Sequence, residues 1–449
     1  MLTSTASRLA SRLGRAGQAN AAASVGAFRG MAGSSHDLDP APTPAQQKII
    51  DLENKHGAHN YHPIPVVLTR GEGVFMWDVE GKRYYDFLAG YSAVNQGHCH
   101  PKIIRALVDQ AQKLTLTSRA FFNDCLGEYE EYITGLLGYD KVLPMNTGVE
   151  GGETAVKLAR RWGYSVKGVP KNQAKILFAR ENFWGRTTTA ISSSTDPESY
   201  EGFGPYMPGF EIIPYNDLGA LEAALEADPN IVAFMVEPIQ GEAGVVVPDP
   251  GYLAKAKALL QKHRALLIAD EVQTGLCRTG KMMAYQHDDV RPDMLILGKA
   301  LSGGTMPISA VLADDEVMLS IGRGQHGSTF GGNPLAAKVA VASLRVLVDE
   351  GLAEASARLG ESFRAQLRAI DTPLLESVRG KGLLNAIVID ESKGCSAWEL
   401  CLDLARRGFL TKPTHGNIIR LAPPLVISEE QLKEAAGILR EALLANTKA

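Results

Sequence analysis

Through the middle of the chain, from Pro101 to Val348, short apolar runs repeatedly sit between or beside helix-length amphipathic segments, and this rhythm restricts the fold more than any other feature. The runs are 141–145, 175–179, 231–237, 265–270, 294–297 and 308–312; the helical segments are 101–114, 150–164, 253–263 and 334–348. A run that is apolar at every position needs cover on both faces, and helices supply it. The expected fold class is α/β, with a mostly parallel sheet between helices. After about Asp349 the texture changes to helix (352–370), strand (382–389), helix (396–407), strand (417–421) and a last helix from Ser428. That order predicts a smaller α+β domain. The alternating stretch from Gly71 to Leu88 predicts strands lying alongside it. The expected layout is a leader and linker (1–36), an N-terminal segment packing with the small domain (37–95), a large domain (96–345) and the small domain (346–449).

The chain's 449 residues, 45% hydrophobic and 21% charged, suit a folded protein. At this length it buries roughly 75% of the surface its unfolded form exposes. No run approaches the ~18 apolar residues of a bilayer span, so a membrane protein is not expected. Net charge is −4 and no basic stripe carries interleaved aromatics, so neither is a nucleic-acid partner. Charge is unevenly placed, however. Arg8, Arg12, Arg15 and Arg29 precede the first acid, Asp37, in a leader rich in Ser, Thr and Ala. This composition, without a secretory apolar core, predicts an organelle-targeting peptide: the mitochondrial matrix, with a plastid as the alternative. Five scattered cysteines without a Cys-x-x-Cys pair speak against a disulfide framework or structural zinc. His98-Cys99-His100 places neighbours on opposite sides of an extended chain, so no metal is expected there.

In parallel sheets, ligands bind beyond the carboxyl ends of the strands. Asp270 closes one apolar run and Lys299 lies two residues past another. An acid and a lysine at strand mouths need a reason, because neither is buried unpaired without cost. Pyridoxal phosphate supplies one: it requires a lysine to hold its aldehyde, a carboxylate to keep its ring nitrogen protonated, and a phosphate cradle. Asn146-Thr147-Gly148-Val149-Glu150, a turn entering a helix, suits a phosphate dianion. A rival signal, Gly322-Arg323-Gly324-Gln325-His326-Gly327, matches the dinucleotide spacing G-x-G-x-x-G. It runs on through Ser328 to Pro334 before any helix, so an NAD site is not expected.

The segment from Leu267 through Asp270, Glu271 and Gln273 to Gly275, followed by Asp293 and then Leu297-Gly298-Lys299 to Gly304, resembles the signature of the class III, or ω-amino, aminotransferases. The resemblance covers about residues 45–445. It implies fold type I of the pyridoxal-phosphate-dependent transferases, with a mostly parallel seven-stranded sheet in a large cofactor-binding domain plus a smaller α+β domain. It also implies a homodimer or higher oligomer with active sites at the subunit interface. The stretches His59 to Pro63, Tyr91 to Pro101, Asn182 to Thr187, Glu237 to Gly244 and Ile418 to Pro424 look like those of family members acting on ornithine. Siblings using acetylornithine or 4-aminobutyrate are the alternative. Where this chain has Phe330, the family commonly has Tyr.

The resemblance assigns expected roles. Lys299 holds the cofactor and moves the proton, Asp270 pairs with the ring nitrogen, Phe183 stacks on the ring and Gln273 meets its phenolic side. Gly148 and Val149, with Ser328 and Thr329 of the partner subunit, hold the phosphate. Arg186 and Tyr61 grip the α-carboxylate of ornithine, and Tyr91 shapes the pocket. Arg420 takes the α-carboxylate of 2-oxoglutarate, while Arg186 takes its distal one. Glu242 is expected to pair with Arg420 until the keto acid arrives, so that ornithine is not drawn in by the wrong end.

Overall fold

The computed structural model describes residues 42–448, so the predicted leader and most of its linker lie outside the described residues. A helix, Pro44–His56, opens this part and three strands follow: β1 (Leu68–Glu72), β2 (Phe75–Asp78) and β3 (Arg83–Asp86). The large sheet follows: β4 (Lys141–Met145), β5 (Lys175–Ala179), β6 (Phe210–Ile213), β7 (Ile231–Val236), β8 (Leu266–Asp270), β9 (Met294–Leu297) and β10 (Ser309–Ala313). The last strands are β11 (Leu375–Lys381), β12 (Leu384–Ile389), β13 (Phe409–Leu410), β14 (Pro413–His415) and β15 (Ile418–Leu421), followed by the helix Glu429–Ala445.

The large sheet has the order β4-β10-β9-β8-β7-β5-β6. Its pairings β6–β5, β5–β7, β7–β8 and β8–β9 are parallel, and β10 runs antiparallel to both neighbours. All six residues of β7 and all five of β8 are buried, as continuous apolar runs require. Alternate side chains enter separate cores: Leu177 and Ala179 of β5 join one, Ile176 and Phe178 the other. A fully buried Ile or Phe contributes roughly 1.5–3 kcal/mol, so these paired cores fix the strand ends as a rigid platform. The fold is α/β, with seven strands in the main sheet.

Two four-stranded sheets flank it in the sequence. One has the order β1-β2-β3-β13 and joins the N-terminal strands to the short parallel β13; the other is β11-β12-β15-β14. The Gly322 to Gly327 turn follows a helix at Asp315–Met318 and precedes the helix Pro334–Asp349, without the strand that a dinucleotide site needs directly before it.

Candidate active site

The carboxyl ends of β4, β5, β7, β8 and β9 point the same way, and the chemistry-bearing residues follow them. Asp270 is the last residue of β8, Glu237 follows β7, and Lys299 is the second residue past β9. Asn182, Phe183, Trp184, Val236, Glu237 and Asp270 line one crevice. An aromatic face and a carboxylate in one crevice are what a protonated heteroaromatic ring needs. Asp270 is 5% exposed; its Oδ1 accepts from the Val272 N–H at 3.1 Å, and Oδ2 has no partner among the described residues. Burial raises its carboxyl to about 6, against the opposing pull of Lys299.

Lys299 is half-buried and has φ +42°, a left-handed conformation that a lysine adopts at a cost. The turn carrying it is clamped. Ser302 Oγ donates to the Lys299 carbonyl at 2.8 Å, while Gln96 Nε2 and Ser343 Oγ donate to the Ala300 carbonyl at 2.9 and 2.8 Å. Burial and the Arg420 charge lower the Lys299 amine to about 8; Asp270, Glu242 and Glu237 oppose this. An amine so placed holds and releases a proton near neutral pH.

The cradle begins at Thr147, which caps the helix Gly148–Trp162. Its Oγ1 accepts from the Glu150 N–H, and the Glu150 carboxylate accepts from the Thr147 N–H at 2.8 Å. The N–H groups of Gly148 and Val149 have no acceptor among the described residues. They are the unpaired donors of a long helix, and the donor set fits a phosphate. A Cβ at Gly148 would lie 2.9 Å from Val272 Cγ1, so a bare backbone is needed where the cradle meets the segment after Asp270. The crevice, the buried acid, the lysine and the cradle together fit pyridoxal 5′-phosphate.

Ser328 lies beside this cradle in its own chain, accepting from Asn146 Nδ2 at 2.8 Å, and Thr329 is exposed.

The residues expected to meet the substrate include Arg420, which lies on β15. Arg420 is fully buried; its Nη1 donates to Gln273 Oε1 at 2.6 Å and its Nη2 to Ser92 Oγ at 2.8 Å, while Nε is left without a partner. Its Cζ sits 5.9 Å from the centre of the Tyr91 ring. Burial lowers the guanidinium's pKa, and Glu242, Tyr91 and Glu237 pull the other way. Glu242 is thus near enough to be felt but closes no ion pair with Arg420, which differs from the expected pairing; the amide of Gln273 takes that place. Tyr91 is held above its ordinary pKa by burial, then by Glu242 and Tyr61, which joins it in lining one cavity. Tyr61 is 69% exposed at the rim. Arg186 is also exposed, with Cζ 5.8 Å from the Phe183 ring centre.

Three contributors escaped sequence reasoning although they lie in quoted motifs: Ser92, Gln96 and Glu237. Glu237 is 5% exposed; it accepts from Phe183 N–H at 3.0 Å and Gly241 N–H at 3.2 Å, and burial with Asp270 nearby raises its carboxyl to about 8. Its signal was an acid directly after a wholly apolar strand, the same signal that exposed Asp270.

The family of class-III aminotransferases matches over residues 56–443. The mitochondrial ornithine aminotransferase of Rattus norvegicus is 63% identical over 401 residues, spanning 89% of this chain and 91% of its own. Among solved structures, the ornithine aminotransferase of Toxoplasma gondii, with PLP at partial occupancy in its active site, superposes with a TM-score of 0.88 at 50% identity, covering 89% of this chain and 94% of that one. The acetylornithine aminotransferase of Elizabethkingia anophelis gives a TM-score of 0.81 at 57% identity over 89% and 99%.

Proposed function

Because this chain belongs to the class-III aminotransferases, we propose that it moves the δ-amino group of L-ornithine to 2-oxoglutarate, giving glutamate 5-semialdehyde and glutamate by a ping-pong mechanism. What carries the reading is the meeting, at the strand ends, of Lys299, Asp270 and a phosphate cradle with a buried arginine, Arg420, on the substrate side. Relatives bearing the ornithine name at 60% identity and above support the substrate.

Pyridoxal 5′-phosphate, when bound, supplies the aldehyde that carries the amino group and a ring that accepts electrons. Lys299 Nζ would anchor it and would move the proton at the reacting carbon. Asp270 would hold the ring nitrogen protonated, Phe183 would stack on the ring and Gln273 would meet its phenolic side. The N–H groups of Gly148 and Val149 grip the phosphate, helped by Ser328 and Thr329 of the partner subunit in a homodimer.

One pocket serves both substrates. Arg186 and Tyr61 hold the α-carboxylate of ornithine, leaving the δ-amine inward beside Tyr91. Arg420 binds the α-carboxylate of 2-oxoglutarate and Arg186 its distal one. Glu242 offsets the Arg420 charge during the ornithine half. The division into parts 37–95, 96–345 and 346–449 belongs to this reading, supported by the pairing of β3 with β13. Residues 1–36 act as a mitochondrial targeting peptide, in keeping with relatives named mitochondrial.

Adding L-ornithine alone to the cofactor-loaded protein bleaches the visible absorbance of the cofactor, and 2-oxoglutarate restores it. An unchanged spectrum overturns the reading. The Elizabethkingia likeness favours one second reading, an acetylornithine enzyme; bleaching at much lower N-acetylornithine than ornithine would establish that instead.

A further inference from the structure

The segment carrying Glu242 is pinned along its length by atoms of its own backbone. Gln240 and Val246 exchange two hydrogen bonds, N–H to O at 3.1 and 2.9 Å, closing the loop at its base. Inside it, the Gly241 N–H donates to the buried Glu237 carboxylate at 3.2 Å. The Glu242 carbonyl accepts from Thr414 Oγ1 at 3.0 Å, and the Gly244 carbonyl accepts from Arg379 Nε at 2.7 Å. Gly244 has φ +98°, and a Cβ there would fall 2.5 Å from Ile418 Cδ1 and 2.8 Å from Arg379 Nη2, so the loop is pressed directly onto these side chains.

Thr414 belongs to β14, Arg379 to β11 and Ile418 to β15, all in one sheet. Arg420 is also on β15. The acid's backbone and the buried arginine are therefore mounted on one frame, and the distance between their backbones is fixed. Glu242 can come toward Arg420 or leave it only by turning its side chain. In this structure it stands off, with Gln273 and Ser92 on the guanidinium.

We infer that Thr414 and Arg379 are positioning residues for substrate selection, holding the Glu242 backbone so that its carboxylate can offset Arg420 when ornithine binds; this rests on the roles proposed above for Glu242 and Arg420. With the clamp loosened, the acid reaches Arg420 less often. The bare guanidinium then draws ornithine by its α-carboxylate and presents the α-amine instead of the δ-amine. The same change leaves Arg420 freer for 2-oxoglutarate. Selectivity falls while the KM for the keto acid falls or holds, a combination that general loosening of the fold does not produce.

Ornithine carrying ¹⁵N only at the δ position reads the choice directly, because the glutamate formed is labelled if the δ-amine moved and unlabelled if the α-amine moved. Thr414→Val, which keeps the shape and removes the hydroxyl, is expected to raise the unlabelled share at least threefold, Arg379→Met to do the same, and Thr414→Ser to restore the original share. Unchanged labelling in both variants, with only kcat reduced, would overturn the inference. Glu242→Ala separates the two levels of argument. A rise in unlabelled glutamate there with none in the clamp variants defeats the clamp alone, whereas no rise in Glu242→Ala defeats the role of Glu242 and the clamp with it.

Discussion

Gln273 and Arg420 are joined by a 2.6 Å hydrogen bond from Nη1 to Oε1, so a side chain expected at the cofactor's edge also holds the buried arginine of the substrate side. Among the described residues Ser92 is the guanidinium's other hydrogen-bonded partner, and Nε has none. Replacing Gln273 with Leu leaves a buried cation with a single acceptor. A hydrogen bond to a charged group contributes about 1.5–3 kcal/mol, or roughly ten- to hundredfold in an equilibrium constant. The KM for 2-oxoglutarate is expected to rise by that factor, while the rate of the ornithine half-reaction changes less than about threefold. Single-turnover rates for the two halves check this; equal losses in both would assign Gln273 to the cofactor alone.

The cradle makes its own demand. At Gly148 a methyl group would sit 2.9 Å from Val272 Cγ1, and Val272 N–H is the donor that holds Asp270. Gly148→Ala therefore pushes apart the proposed phosphate-binding turn and the proposed ring-nitrogen partner together. Cofactor affinity is expected to weaken at least about tenfold, or ~1.4 kcal/mol, measured by fluorescence titration of the cofactor-free protein. Unfolding temperature without cofactor should fall as well, since the contact with Val272 Cγ1 is present whether or not the cofactor is bound.

What the sequence made legible is what local chemistry determines. Strands buried on both faces, such as β7 and β8, stood out because every position of β7, and every position of β8 before Asp270, is apolar. β6 did not: it is one of the two edge strands, half exposed, with Glu211 inside it, and nothing local marks it as part of the sheet. The two-residue β13 is a strand only because β3 lies beside it. In the site, Lys299 and Asp270 were readable from their positions at strand ends. The clamp on the lysine turn was not, because Gln96 and Ser343, which make it, are 247 residues apart. Nor could spacing show that Arg420 would rest against an amide and not against Glu242. That choice depends on how three separate sheets meet.

The two central charges should cost stability, each on its own side of neutrality. Asp270 moves from 3.8 to about 6 on folding, so between those values the folded state binds more protons than the unfolded one and stability falls as pH rises. Lys299 moves from 10.5 to about 8, so between pH 8 and 10.5 the unfolded state binds more and stability rises with pH. Each shift corresponds to roughly 3 kcal/mol, present in full for both groups between about pH 6 and 8. Cofactor-free Asp270→Asn should unfold at a higher temperature than the parent at pH 7, with the gap closing toward pH 4. Lys299→Met should do likewise, with the gap closing toward pH 10.5. Calorimetry across pH decides it: gaps that do not change with pH would mean that the substitutions act through packing.

Arg186 and Arg420 have opposite surroundings, and their substitutions should separate cleanly. Arg420 is fully buried and serves only the keto acid in the proposed scheme, whereas Arg186 is exposed near Phe183 and is used by both substrates in turn. In that scheme Arg186→Gln removes a carboxylate partner from each half-reaction, and a charge-assisted contact is about twice as strong as a neutral one. The KM values for ornithine and 2-oxoglutarate should both rise, by at least about tenfold. Arg420→Gln should raise the KM for 2-oxoglutarate alone and leave ornithine binding within about threefold, or improve it, because the charge that competes for the wrong end of ornithine is gone. Steady-state kinetics with each substrate varied in turn measures all four constants. If Arg420→Gln weakened ornithine as much as 2-oxoglutarate, the two arginines would not divide the substrates, and the need for Glu242 to offset one of them would disappear.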